Sequence, residues 1–226
     1  MKNNARTKTI LRMAPFPTEE ESGRGLHPYE LSKLKNCKVI YLTFFKKDAM
    51  PFEIPENVNL HIGTFYTDPY PRTKGLFTRL IFQIYRLFRV ITFSIHGICL
   101  MVKYKVDIIH IHSAMFILVA LAGKILKKVN IITFHGADYF RIENAIWYRC
   151  FSKCFDTVFS ISPRFIKKLT EIHKCLVLQT FNGIKTDVYK NFKLERKKQI
   201  LTVTNFKKQK GLEFLIEGYS MFIKKY

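Results

Sequence analysis

The stretch from Val106 to Tyr139, VDIIHIHSAMFILVALAGKILKKVNIITFHGADY, leaves few folds open to this chain. Val106 to Ile111 and Val129 to Phe134 are short β-branched runs. Between them Ala114 to Leu126 is apolar nearly all round, with Lys124, Lys127 and Lys128 gathered at the end where a helix dipole favours cations. A strand, a helix and a strand in this order make a right-handed βαβ crossover. Neither strand alternates, as expected where helices cover both faces. The expected fold class is therefore α/β, a Rossmann-like parallel sheet with helices on both faces. Ligands of such sheets bind beyond the carboxyl ends of the strands, where His112, His135, Gly136 and Asp138 fall.

The chain has 226 residues, 48% of them hydrophobic, enough for a core and against a disordered chain. Lys and Arg number 38 against 17 Asp and Glu, a net charge of +21 that calls for a polyanionic neighbour: nucleic acid, an anionic membrane face or phosphorylated ligands. Cys37, Cys99, Cys150, Cys154 and Cys175 contain no Cys-x-x-Cys pair, so neither a disulfide framework nor a zinc ribbon is indicated and a reducing cytoplasm fits. The N-terminal residues have a basic start but too short an apolar run for a signal peptide.

Taken in order, Thr9 to Ala14 reads as a first strand, followed by an acidic loop in which Gly23 and Gly25 flank Arg24. Gly-Arg-Gly is also an ordinary surface turn, and His27 reads as a helix-start residue. Cys37 to Phe45 and Val58 to Ile62 are further strands. From Pro69 to Val106 there is no Asp or Glu. Gly75 to Lys103 has helical periodicity, with Arg79, Gln83 and Arg86 on one stripe and a wide apolar arc. Its longest charge-free run, Val90 to Val102, falls short of the ~20 residues a membrane span needs. Two readings stay open: a buried helix with a basic edge, or an interfacial helix that meets anionic lipid. Asp138 to Lys153 is expected to be one amphipathic helix with Cys150 and Cys154 on one face. Asp156 to Ile161 is a strand, with Ser162 as N-cap and Pro163 opening a helix to His173. Cys175 to Thr180 is another strand, and Asn182-Gly183 is a turn dipeptide. Ile200 to Phe206 reads as a strand and Leu212 to Ile223 as a helix.

Asp107, His110 and His112, followed by Thr133, His135, Gly136 and Asp138, resemble the D-x-x-H-x-H and T-x-H-G-x-D segments of family 4 glycosyltransferases of the two-domain GT-B fold. Asn182, Gly183, Ile184, Asp187 and Tyr189 are similar to the segment that passes between the two domains. Lys210 and Gly211 match the x-x-K-G that opens the donor domain, while Asn205 stands where many members have an arginine. The resemblance implies an N-terminal acceptor-side domain over 1–190, a linker over 191–199, and over 200–226 the first strand and helix of an incomplete donor-binding domain.

What the resemblance implies for function is transfer of a sugar from a nucleotide-diphosphate donor to a lipid-linked or cell-surface glycan acceptor. His135 would meet the transferred sugar. Gly23 and Gly25 would approach the diphosphate, and Lys210 and Asn205 would lie at the donor phosphates. His112, Gly136, Asp138, Ser162 and Asn182 complete the implied substrate-binding set. No Asp-x-Asp occurs, so no metal is expected, and no cofactor beyond the nucleotide sugar. The implied location is cytoplasmic, peripheral at the membrane through residues 75–103. Alone, the chain is expected to transfer little sugar and to act as an acceptor-binding fragment or half of a split transferase. Two other classes stand beside this one. His110, His112 and His135 could hold zinc, and the charge alone points to nucleic acid, for which no recognition module is visible.

Overall fold

In the computed structural model, residues 7–17, 25–44, 53–63, 75–182, 199–204 and 210–225 are described. Seven short strands follow the β-branched runs: β1 Lys8–Met13, β2 Cys37–Thr43, β3 Val58–Ile62, β4 Ile108–Ile111, β5 Val129–Phe134, β6 Thr157–Ser160 and β7 Leu176–Gln179. All pair in parallel in the order β3-β2-β1-β4-β5-β6-β7. The fold class is the Rossmann-like α/β sheet expected. The chain runs outward from β1 to β3 and then returns to β4 on the other side of β1. The carboxyl ends of β1 and β4 therefore flank a topological switch point, where such sheets hold their ligands.

The helices are α1 Leu26–Glu30, α2 Leu76–Lys103, α3 Ile117–Ile125, α4 Ala137–Ile142, α5 Ile146–Phe151, α6 Ile166–His173 and α7 Leu212–Lys225. On one side of the sheet Leu11, Met13, Ile40, Leu42, Ile109, Ile111, Ile132 and Phe134 form the main core with residues of α2 to α6. On the other side Val39, Tyr41 and Val58 pack with Phe16 and Tyr29 in a smaller cluster under α1.

The strands do alternate, contrary to the expectation of two equally apolar faces. Arg12, His110 and Thr133 sit between core residues of β1, β4 and β5 and face the second side. There, α1 and the 3₁₀ turn Leu31–Lys33 leave a cavity of ≈ 240 Å³ over β4, β5 and β6. Polar side chains are tolerated on that face because they bond one another and the α1 segment, as set out below.

Three other expectations change. Asp138 to Lys153 is two short helices broken at Ala145, whose ψ of 97° is extended, and the break lets both Ile142 and Tyr148 enter the core. Cys150 is consequently exposed and Cys154 buried, since the helix ends at Phe151 and a 3₁₀ turn carries Cys154 inward. Ser162 stands at the N-cap with Pro163 after it, but its side chain caps nothing. Buried Ser160 orders that loop instead, donating to the Ser162 carbonyl at 2.9 Å and accepting from Ser162 N–H at 3.3 Å.

In α2 the second half is a core helix, with Phe93, Ser94, Leu100 and Met101 buried. Gly97 allows β1 to approach, since a Cβ there would sit 3.0 Å from Met13 Sδ. The first half is exposed on nearly every side, including Phe77, Leu80, Ile84 and Phe88. Among the described residues, Phe77–Lys103 is the helix long and apolar enough to cross a membrane. Its second half packs on the sheet through Phe93, Leu100 and Met101, while Ile95 and Val102 stay exposed.

The chain forms two compact units, Met1–Gly183 and Ile184–Tyr226. In the second, residues 200–204 form no strand, contrary to expectation. Asn205 and Phe206 lie outside the described residues; among the described residues this unit has no second strand, and a lone strand has nothing to satisfy its backbone. Helix α7 forms as expected.

Candidate active site

His112 follows β4 directly and its N–H donates to the Met13 carbonyl at 3.0 Å, which fixes it at the switch point. His135 follows β5, and its Nε2 lies 2.9 Å from His112 Nδ1. The strand register places Ile111 beside Ile132 and so His112 level with Thr133, with His135 two residues further along the neighbouring strand, within reach of the His112 ring. His27, the second residue of α1, closes the group, with ring centroids 6.0 Å from His112 and 5.5 Å from His135. Gly25 makes this approach possible. A Cβ at Gly25 would lie 2.5 Å from Pro17 N and 2.7 Å from the Phe16 carbonyl carbon, so α1 begins pressed on the chain leaving β1.

Beneath these rings lies a second polar layer. Arg12, 2% exposed, donates from Nη1 to the Pro28 carbonyl at 2.8 Å and to Ser32 Oγ at 2.6 Å. Its Nη2 lies 3.5 Å from His110 Nδ1, and His110 Nε2 lies 2.8 Å from Thr133 Oγ1. A guanidinium only donates, so Nδ1 of His110 accepts and its Nε2–H donates to the threonine. Burial lowers the Arg12 pKa to about 10. Burial, then the Arg12 charge, holds His110 well below the usual histidine value. Burial, then His110 and His135, does the same to His112. His27 falls to about 4, through burial first and then the nearby His135 and Arg12. His27, His110 and His112 are thus neutral imidazoles at neutral pH, able to bond hydroxyls without carrying charge.

Gly136 has φ 51° and ψ −89°, in the region that favours glycine, and a Cβ there would meet nothing within 4 Å. This positive φ turns the chain from β5 into α4, and the space where a side chain at 136 would stand is open. Asp138 lies in the first turn of α4, its N–H directed at the His135 carbonyl at 3.4 Å. Ser162 follows β6, the neighbour of β5, so its strand ends on the same edge of the sheet. Asn182 is exposed just beyond β7. Lys210 is exposed in the second unit, while Gly23 and Asn205 lie outside the described residues.

Of the residues singled out from sequence, the structure therefore brings together His112 and His135, with Gly136 and Asp138 alongside. It separates His110 from them functionally, because both its ring nitrogens are engaged by Arg12 and Thr133. Sequence reading undervalued His27 and passed over Arg12. A charged residue inside the otherwise apolar run TILRMA was the available signal.

The sequence matches the family model described as Glycosyltransferase Family 4 over residues 30–188, well over half of the chain. No curated protein matches it significantly. Among solved structures it is similar to sucrose-phosphate synthase from Thermosynechococcus elongatus, at 14% identity and TM-score 0.47 over 76% of this chain and 47% of that one. MurG of Acinetobacter baumannii is similar at 14% identity and TM-score 0.43, over 79% of this chain and 47% of that one. A glycosyltransferase from Rickettsia africae ESF-5 is similar at 18% identity and TM-score 0.44, over 81% and 45%. The chain thus spans about half the length of these structures. On the strength of the family match over its parallel sheet and the histidine edge, the chain belongs to Glycosyltransferase Family 4.

Proposed function

We propose that this chain supplies the acceptor-side domain for transfer of a sugar from a nucleotide-diphosphate sugar to a lipid-linked or cell-surface glycan acceptor. The observation that carries this reading is the hydrogen-bonded His112–His135 pair at the switch point of a family 4 sheet. In this reading His135 meets the transferred sugar, held in place by His112, and an imidazole offers ring nitrogens to a sugar hydroxyl. Asp138 and Gly136 shape the sugar's side of the cleft, Gly23 and Gly25 its diphosphate side. Ser162 and Asn182 would bound the cleft further along the sheet, and Lys210 and Asn205 would meet the donor phosphates.

The apolar, basic first half of α2 supports a membrane location for the acceptor. Phe77, Leu80, Ile84 and Phe88 are exposed beside Arg79, and no acidic residue occurs from Pro69 to Val106. In this reading α2 rests on the anionic, cytoplasmic face of a membrane, where a lipid-linked acceptor is presented. Nucleic acid is not the polyanion proposed.

The test is NMR titration of the histidine imidazole signals with nucleotide sugars and with short-chain lipid-linked sugars. The His135 signal is expected to shift with at least one class, and the His61 and His96 signals to stay. Saturable binding that leaves His135 unmoved would overturn the assignment. In a transfer assay with the full protein, His135→Ala is expected to lower the rate on the order of 100-fold or more.

A further inference from the structure

His27 comes from α1, His112 from the end of β4 and His135 from the end of β5, and each offers a ring nitrogen within 4.8 Å of the others'. Two facts distinguish this group from packed core histidines. His112 is 4% exposed, yet its Nε2 has no hydrogen-bond partner. Both ring nitrogens of His27 are likewise buried without partners. Buried imidazole nitrogens are normally bonded, and leaving one unpaired costs on the order of 1–3 kcal/mol. Unpaired nitrogens on two of three histidines gathered this closely are what a shared ligand would satisfy.

The donor set says which occupant fits. It holds no carboxylate or thiolate, so hard cations such as Mg²⁺ and Ca²⁺ have nothing to bind, while imidazole suits zinc, copper, nickel and cobalt. Bonds of about 2.0–2.1 Å in a tetrahedron hold ligand nitrogens about 3.4 Å apart. One ligand atom from each residue lies within 4.8 Å of the other two, near enough to that value for small ring movements to close the tetrahedron. We propose that His27, His112 and His135 form a three-nitrogen site for a divalent transition-metal ion of the zinc class, with the fourth position open to water or a ligand oxygen.

This departs from the sequence-based expectation of no metal, and from the triple of His110, His112 and His135. His110 is excluded because Arg12 and Thr133 already use both its nitrogens. Coordination takes up a ring nitrogen of His135, so metal and sugar compete there. That competition rests on the sugar-facing reading of His135; the coordination does not.

The experiment uses tag-free, metal-free full chain titrated with Co²⁺. One equivalent is expected to give the intense visible bands of a four- or five-coordinate ion, displaced by Zn²⁺. His27→Gln and His135→Gln should each weaken binding by more than about tenfold, since even outer-shell losses cost about 10–100-fold. His96→Gln, next to His61 in a separate pair, should leave it unchanged. Circular dichroism confirms folding, and either of the two variants suffices if the other fails to fold. Only weak octahedral bands, binding unaltered in the folded variants, or binding lost with His96 would overturn the site. Zinc that binds without disturbing the sugar titration would overturn only the competition, and absence of metal binding leaves the sugar reading standing.

Discussion

His112 Nδ1 and His135 Nε2 lie 2.9 Å apart although 23 residues separate them, and one proton between the two rings joins the ends of β4 and β5. His112 is fully enclosed, so this bond is the interior's hold on the more open His135. Replacing His112 by Ala removes the bond and leaves a void under the cleft. The expected loss of stability is about 1–3 kcal/mol, read from the urea midpoint. His112→Asn, which can still bond His135, should lose less. Equal stability of the Ala variant would show that the bond contributes nothing.

Helix α3 approaches β4 and β5 at Gly123, where a Cβ would lie 2.2 Å from Ile109 Cδ1 and 2.5 Å from Asn130 Oδ1. Asn130 cannot move aside, because its amide donates to the Ala120 and Cys154 carbonyls at 2.8 and 2.9 Å. Gly123→Ala is therefore expected to destabilise by about 1–3 kcal/mol through overpacking, although alanine is the better helix former. A rise in melting temperature would contradict this.

His173 is buried between Tyr148 and Phe155, with Nε2 3.1 Å from the Tyr148 hydroxyl. Burial lowers its pKa from 6.5 to about 4, against a smaller upward pull from the Ser152 carbonyl. Below pH 6.5 the unfolded chain takes up a proton that the folded chain refuses, so this contribution to stability is full above that pH and is lost as pH falls toward 4. The loss approaches about 1.4 kcal/mol per pH unit. His173→Gln should show a shallower dependence of denaturation midpoint on pH between these limits. Parallel curves would refute the assignment.

Helix α2 should bind vesicles containing anionic lipid in co-sedimentation, more weakly as salt rises and with neutral vesicles. Replacing Arg79, Arg86 and Arg89 together by Gln should remove most of the dependence on anionic lipid. Replacing Phe77 and Leu80 by Ser should weaken binding to both kinds of vesicle. Equal binding of the parent chain to neutral and anionic vesicles would remove the electrostatic part of the proposal.

The sequence by itself determined the class of fold and the edge on which function sits. Short β-branched runs such as Val129–Phe134 alternating with helical ones admit a parallel sheet, and a polar His-Gly after such a run must lie at its carboxyl end. Those are consequences of local propensity and connection handedness, which neighbouring residues carry. Only the tertiary structure decided that Arg12, His110 and Thr133 interrupt the second apolar face of the sheet, that Arg12 and His110 serve each other, and that His27 joins His112 and His135. His27 lies 85 and 108 residues from its partners, and nothing local in LHPYE marks it as other than a helix start. Its role depends on how α1 crosses the strand ends, which the close approach of Gly25 to Phe16 and Pro17 sets. The split of Asp138 to Lys153 into two helices has the same origin. An amphipathic period permits one continuous helix, but burying both Ile142 and Tyr148 under this sheet requires a break between them.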